Sequence, residues 1–176
     1  ILIFDRYILA DTDQQRIRDN LIPLLQHMAG NQESKEPLEI TIIAEKFKKG
    51  KQLKLVHEDL AESLSKSFKR KFKLKIIYHS KEGYLKDLDG LHFRRVFTDY
   101  FVIRSDDSFN YFKPNGKVNN NCEIEFAFIF DKSGWQFGKK DLEDITKYVK
   151  NIVRLTENNA SHLEFYYPDA ECRFLN

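Results

Sequence analysis

Residues 1–79 alternate short apolar runs with longer amphipathic stretches, and this rhythm limits the fold more than any other feature of the chain. Ile1–Leu9 (ILIFDRYIL), Leu38–Ala44 (LEITIIA) and Lys73–His79 (KLKIIYH) carry the β-branched and aromatic residues of buried strands. Between them, apolar residues recur at helical spacing. Ile17, Leu21, Leu24, Leu25 and Met28 form one stripe, opened by Asp11 or Thr12 as the cap and closed by Gly30. Val56, Leu60, Leu64 and Phe68 form a second stripe over Leu55–Phe68. The order β-α-β-α-β predicts a parallel sheet with right-handed crossovers.

After Gly83 and Gly90 the rhythm changes, and strands follow without helices between them. Leu91–Thr98, Asp99–Arg104 and Glu123–Phe130 are expected strands, the last one after a loop with Pro114, Gly116 and a run of Asn. Leu142, Ile145, Val149, Ile152 and Val153 predict a third helix over Lys140–Thr156. His162–Tyr167 and Ala170–Phe174 supply closing strands. The expected fold is therefore α/β, with a mixed, largely parallel central sheet flanked by helices. A length of 176 residues suits a single domain over 1–176. The start at Ile1, directly on a strand and without methionine, predicts a piece of a longer protein.

Lys and Arg number 29 against 27 Asp and Glu, so overall charge makes no case for nucleic acid and only local clusters could. Two clusters stand out: KFKKGKQLK at Lys46–Lys54 and KSFKRKFKLK at Lys66–Lys75. In the second, Lys69, Arg70 and Lys71 form a candidate anion patch in which phenylalanines could stack on bases. The plainer alternative has Phe68 and Phe72 in the core and the lysines facing water. No apolar run approaches the roughly 20 residues of a membrane-spanning helix. Cys122 and Cys172 lack metal-site spacing; they could pair, but the default reading is two reduced thiols of a cytoplasmic protein. His57-Glu58 lacks a second histidine one helical turn on, and His27, His79 and His162 are isolated, so no metal is expected. No glycine-rich nucleotide loop is present, and no cofactor is expected.

The chemistry concentrates in Leu91–Ser108, LHFRRVFTDYFVIRSDDS, where a histidine, three arginines and three aspartates interrupt strand-like sequence. Buried charge is costly unless it is paired, so these groups belong to a strand end, an ion pair or a site. On a strand, His92 and Arg94 share one face, which would bring imidazole and guanidinium into one small volume. Asp99 is out of phase and rejoins them only if a turn or bulge falls between Arg95 and Asp99. An amphipathic edge hairpin with a solvated His/Arg face accounts for the same residues.

His92-Phe93-Arg94, four residues, then Asp99, followed by the apolar pair Val102 and Ile103 and by Ser105 or Ser108, resembles the signature of the phospholipase D superfamily. Arg94 stands where that family has lysine, and the usual glycine before the small polar residue is missing. The resemblance implies a phospholipase-D-like fold over most of the chain, although its motif covers only a short stretch. It implies His92 as nucleophile, Arg94 holding phosphate oxygens with Ser105 and Ser108, and Asp99 supporting the histidine. Arginine keeps the charge of lysine but replaces a point charge by a planar fork. Asp5-Arg6-Tyr7, at the end of the first strand, resembles an acidic-x-Tyr element of such domains, which would put Arg6 in the phosphate site as well.

Two functions follow as expectations. One is a binding module with a degraded site that recognises a phosphate-bearing partner, nucleic acid or a lipid head group, or a regulatory module that recognises another protein. The other is a metal-independent phosphodiesterase or nuclease, active as a homodimer that brings His92 of two subunits into one cleft.

Overall fold

A computed structural model describes residues 1–5, 7–9, 17–29, 35–44, 53–79, 94–106, 117–118, 123–158 and 163–166. In chain order the elements are β1 (Leu2–Phe4), a π-helical turn (Ile17–Leu21) leading into α1 (Ile22–Ala29), β2 (Leu38–Ala44), α2 (Leu53–Ser67) and β3 (Phe72–His79). There follow β4 (Arg94–Phe97), β5 (Phe101–Ser105), β6 (Ile124–Phe128), α3 (Lys132–Asn158) and β7 (Leu163–Tyr166). The seven strands form one sheet in the order β6-β5-β4-β1-β2-β3-β7.

The sheet is mixed, but it is not largely parallel as the sequence rhythm suggests. Only β1–β2 and β2–β3 pair parallel; β1–β4, β4–β5, β5–β6 and β3–β7 pair antiparallel. The two crossover helices account for the parallel part. The three-residue turn between β4 and β5 forces an antiparallel return there, because a parallel return needs a long connection.

Alternation along the strands builds a core on each face. Ile3, Ile40, Ile42, Leu74, Ile76, Val96 and Ile103 point to the face covered by α1 and α2, where Leu21, Leu25, Val56, Leu60 and Leu64 meet them. Leu2, Phe4, Ile43, Ile77, Phe97 and Val102 point to the other face, against Ile145, Tyr148 and Val149 of α3. The Phe4 ring meets Tyr148 edge-on, with centroids 5.8 Å apart.

β1 is shorter than the expected Ile1–Leu9 strand because Asp5 ends it: the Tyr7 amide donates to Asp5 Oδ1 at 2.8 Å, a local turn that competes with the ladder. Conversely, α3 begins eight residues before the expected Lys140. The Trp135 amide donates to the Asp131 carbonyl at 2.8 Å and Ser133 Oγ donates to the Asp131 carboxylate, so the helix is started just after β6. The expected closing strand at 170–174 lies outside the described residues.

Candidate functional site

The two parallel connections make β1, β2 and β3 end on the same rim of the sheet, the rim where open α/β sheets bind ligands. β4 runs antiparallel to β1 and therefore starts on that rim, with Phe4 opposite Arg95. Carried one residue further, this register sets Asp5 opposite Arg94. Arg94 is paired directly with Ser105, and Ser105 with Ile124. Asp5, Arg94 and Ser105 thus stand side by side at one rim, Asp5 at the end of β1 and the other two across the β4–β5 hairpin.

Each group is held in place. Asp5 is fully buried, its amide donates to the Ile43 carbonyl at 3.1 Å, and its carboxylate accepts the Tyr7 amide. The Arg94 guanidinium lies over the Tyr7 ring, 5.7 Å from the centre, and donates through Nη1 to the Asp106 carbonyl. Asp106 is anchored in turn, since the Glu123 amide donates to its Oδ1 at 2.8 Å. Ser105 is only 5% exposed, so it belongs to the floor of this rim rather than to its mouth. A half-buried guanidinium stacked on an aromatic ring and tied to a carbonyl keeps its planar fork in one orientation, the geometry that suits phosphate or carboxylate oxygens.

Asp99 does not join this group. It is exposed in the turn between β4 and β5, at the opposite end of the hairpin from Arg94. A four-residue strand advances about 3.3 Å per residue, so roughly 13 Å of β4 lies between them. The turn forms there because Thr98 dictates it. Thr98 Oγ1 accepts the amides of Tyr100 and Phe101 at 3.1 and 3.0 Å, while the Thr98 amide donates to the Phe101 carbonyl at 3.0 Å. His92, Arg6 and Ser108 lie outside the described residues.

The basic cluster is on the other rim. Lys69 and Lys71 are exposed in the turn before β3, Arg70 Nε donates to the Glu36 carbonyl at 3.1 Å, and the Leu38 amide donates to the Lys71 carbonyl at 2.8 Å. Phe68 and Phe72 meet edge to face, centroids 5.7 Å apart, and pack against the core, as the plainer reading of the cluster has it. His57 is buried, with Nε2 3.0 Å from the Leu74 carbonyl, and joins α2 to β3. Among the described residues, no three His, Cys, Asp or Glu side chains are grouped to hold a metal, and no helix is long and apolar enough to cross a membrane.

The charges the sequence reading did not separate from the site are Arg95 and Arg104. They point to the opposite face, where both reach Asp141 of α3, Arg104 Nη2 at 3.5 Å. Strand parity alone separates Arg94 from Arg95, but Asp141 is 46 residues from Arg95 and nothing local announces it as their partner.

Comparison of the chain with protein-family models, with characterised proteins and with solved structures yields no match.

Proposed function

We propose that the carboxyl rim around Arg94 is a phosphate-recognition site and that the protein is a phospholipase-D-like binding module in the cytoplasm, not a catalyst. The observation that carries this reading is the orientation of Arg94: stacked on Tyr7, tied to the Asp106 carbonyl and paired with Ser105 across the hairpin. The guanidinium fork matches two phosphate oxygens. Asp5 at the neighbouring register position offsets part of the local positive charge. Recognition therefore rests on the aimed fork rather than on a broad field, in keeping with a net charge of only +2. His92, two residues before Arg94, together with Arg6 and Ser108, would complete the ligand shell. The place of Asp99 at the far end of the hairpin favours binding over catalysis, because no carboxylate from the motif is then at hand to orient a histidine.

Calorimetric titration with a short phosphodiester, once as a dinucleotide and once as glycerophosphodiester, tests the proposal. The wild-type chain binds at low salt, Arg94→Ala lowers affinity by about tenfold or more, and Arg94→Lys restores part of the loss. Absence of binding to every phosphate probe rejects the site. Metal-independent cleavage of the probe that disappears in a folded His92→Ala variant replaces this reading with the phosphodiesterase one.

A further inference from the structure

β6 closes one edge of the sheet and turns its apolar side chains toward solvent. Ile124, Phe126 and Phe128 alternate onto the same face, opposite Ser105, Ile103 and Phe101 of β5. Phe126 is 65% and Phe128 67% exposed. Beyond the strand end, exposed Phe130 sits against exposed Tyr100 with ring centroids 6.1 Å apart, which carries the patch around the β4–β5 turn. At about 200 Å² for a full aromatic side chain, these residues leave on the order of 600 Å² of apolar surface on each chain. That is the upper end of what a monomer leaves in one place and marks a contact surface, of which Ile124, Phe126 and Phe128 lie on the edge strand itself.

We propose that the chain forms a two-fold dimer in which β6 pairs antiparallel with β6 of a second copy, doubling the seven-stranded sheet. The strand, IEFAF, has none of the proline or lysine that natural edges use to prevent such pairing. Centring the two-fold axis on Phe126 aligns all five residues. Phe126 then meets its own copy, Ile124 meets Phe128 of the second copy, and Glu125 meets Ala127. Centring on Glu125 instead would set two carboxylates directly opposite, which is unfavourable. In the proposed register Glu125 keeps its own chain's Arg104, 3.7 Å away, and faces no like charge. The charge around the patch argues against a lipid surface as the occupant. Asp99, Asp106, Glu123 and Asp131 are exposed around it, and anionic head groups would repel them.

The dimer is independent of the phosphate site and keeps its two copies apart. Ser105 is level with Ile124, which meets the opposite end of β6 in the second copy, so the two Arg94 rims fall at opposite ends of the joined strands. Two copies of Arg94 do not share a cleft in this assembly.

Sedimentation equilibrium on the whole chain tests the pairing. The wild type is expected to show a concentration-dependent monomer–dimer equilibrium. Phe126→Lys places two ammonium groups at the axis and raises the dissociation constant by roughly tenfold or more, with an unchanged circular dichroism spectrum because the ring is mostly exposed. In a Cys122→Ser/Cys172→Ser background oxidised with glutathione, Phe126→Cys is expected to cross-link to its copy and Ile124→Cys is not, because only residue 126 faces itself. A wild type that stays monomeric at all concentrations overturns the proposal. So does a dimer indifferent to Phe126→Lys, or equal cross-linking at residue 124. Binding of the monomer to anionic vesicles through the same rings would assign the patch to lipid instead.

Discussion

Arg95 of β4 and Asp141 of α3 form an ion pair with side chains only 11% and 12% exposed, and Arg104 joins the same carboxylate from β5. The pair fastens the long helix to the antiparallel half of the sheet. Removing one partner of a buried pair strands the other, so Asp141→Ala should destabilise by about 3–5 kcal/mol in urea unfolding. The double change Arg95→Met/Asp141→Leu should recover most of that loss, because two apolar side chains leave no charge without a partner. Burial pushes the Arg95 guanidinium below the usual arginine range, and Asp141 pulls it part of the way back. With its folded value lowered, Arg95 carries its desolvation cost wherever it is charged and sheds it only in strongly alkaline solution. Its contribution to unfolding should therefore be flat from about pH 5 to 9.

α3 runs close against the sheet at Gly138. A Cβ there would lie 2.6 Å from Val102 Cγ2, and a β-branched side chain has little freedom to give way. Gly138→Ala, which in an exposed helix would stabilise, should here cost about 1–3 kcal/mol of stability, seen as a lower melting temperature. Adding Val102→Ala opens the space, and the double mutant should be more stable than the sum of the two single losses. Additive losses would show that the helix shifts instead.

Asp99 separates the two functional readings more cheaply than any histidine variant. It is exposed in the Thr98 turn, so Asp99→Ala should change stability by no more than about 0.5 kcal/mol and leave phosphate-probe affinity unchanged. A large loss of binding in a folded Asp99→Ala protein would mean that the hairpin end contributes to the site.

Lys69, Arg70 and Lys71 lie on the rim opposite Arg94 and cannot contact the same short ligand. Their joint replacement by Gln should leave dinucleotide affinity unchanged. If a long oligonucleotide binds, the same change should lower the salt dependence of that binding by up to about three charges. An unchanged salt slope would leave these residues as a solvated turn.

The part of this fold legible in the sequence is the part fixed by local pattern. The apolar run 38–44 and the stripe Val56, Leu60, Leu64 give β2 and α2 nearly to the residue, since period-2 and period-3.6 burial act within one segment. What escaped depends on contacts between segments. The majority of antiparallel pairings arises from where β4 to β7 dock. The division of labour between Arg94 and Arg95 is set by the distant Asp141. The early start of α3, set locally by Asp131 and Ser133, was missed because the apolar stripe begins later than the cap. Within the site, the separation of Asp99 was legible, since its spacing from Arg94 is out of phase and the strand break falls after Thr98, where local hydrogen bonds make the turn. The shared rim of Asp5, Arg94 and Ser105 was not, because it depends on β4 docking antiparallel beside β1.

β1, three residues long, is the strand that joins the β4–β5–β6 meander to the β2–β3–β7 half of the sheet. Detaching it would leave two partial sheets, each with a raw inner edge, so the two halves lose their mutual support together. A strand of only three residues ordinarily opens locally and exchanges its amide hydrogens fast. Here the ladder amides of Leu2–Phe4 should exchange as slowly as those of Ile42 or Ile76, through global unfolding alone.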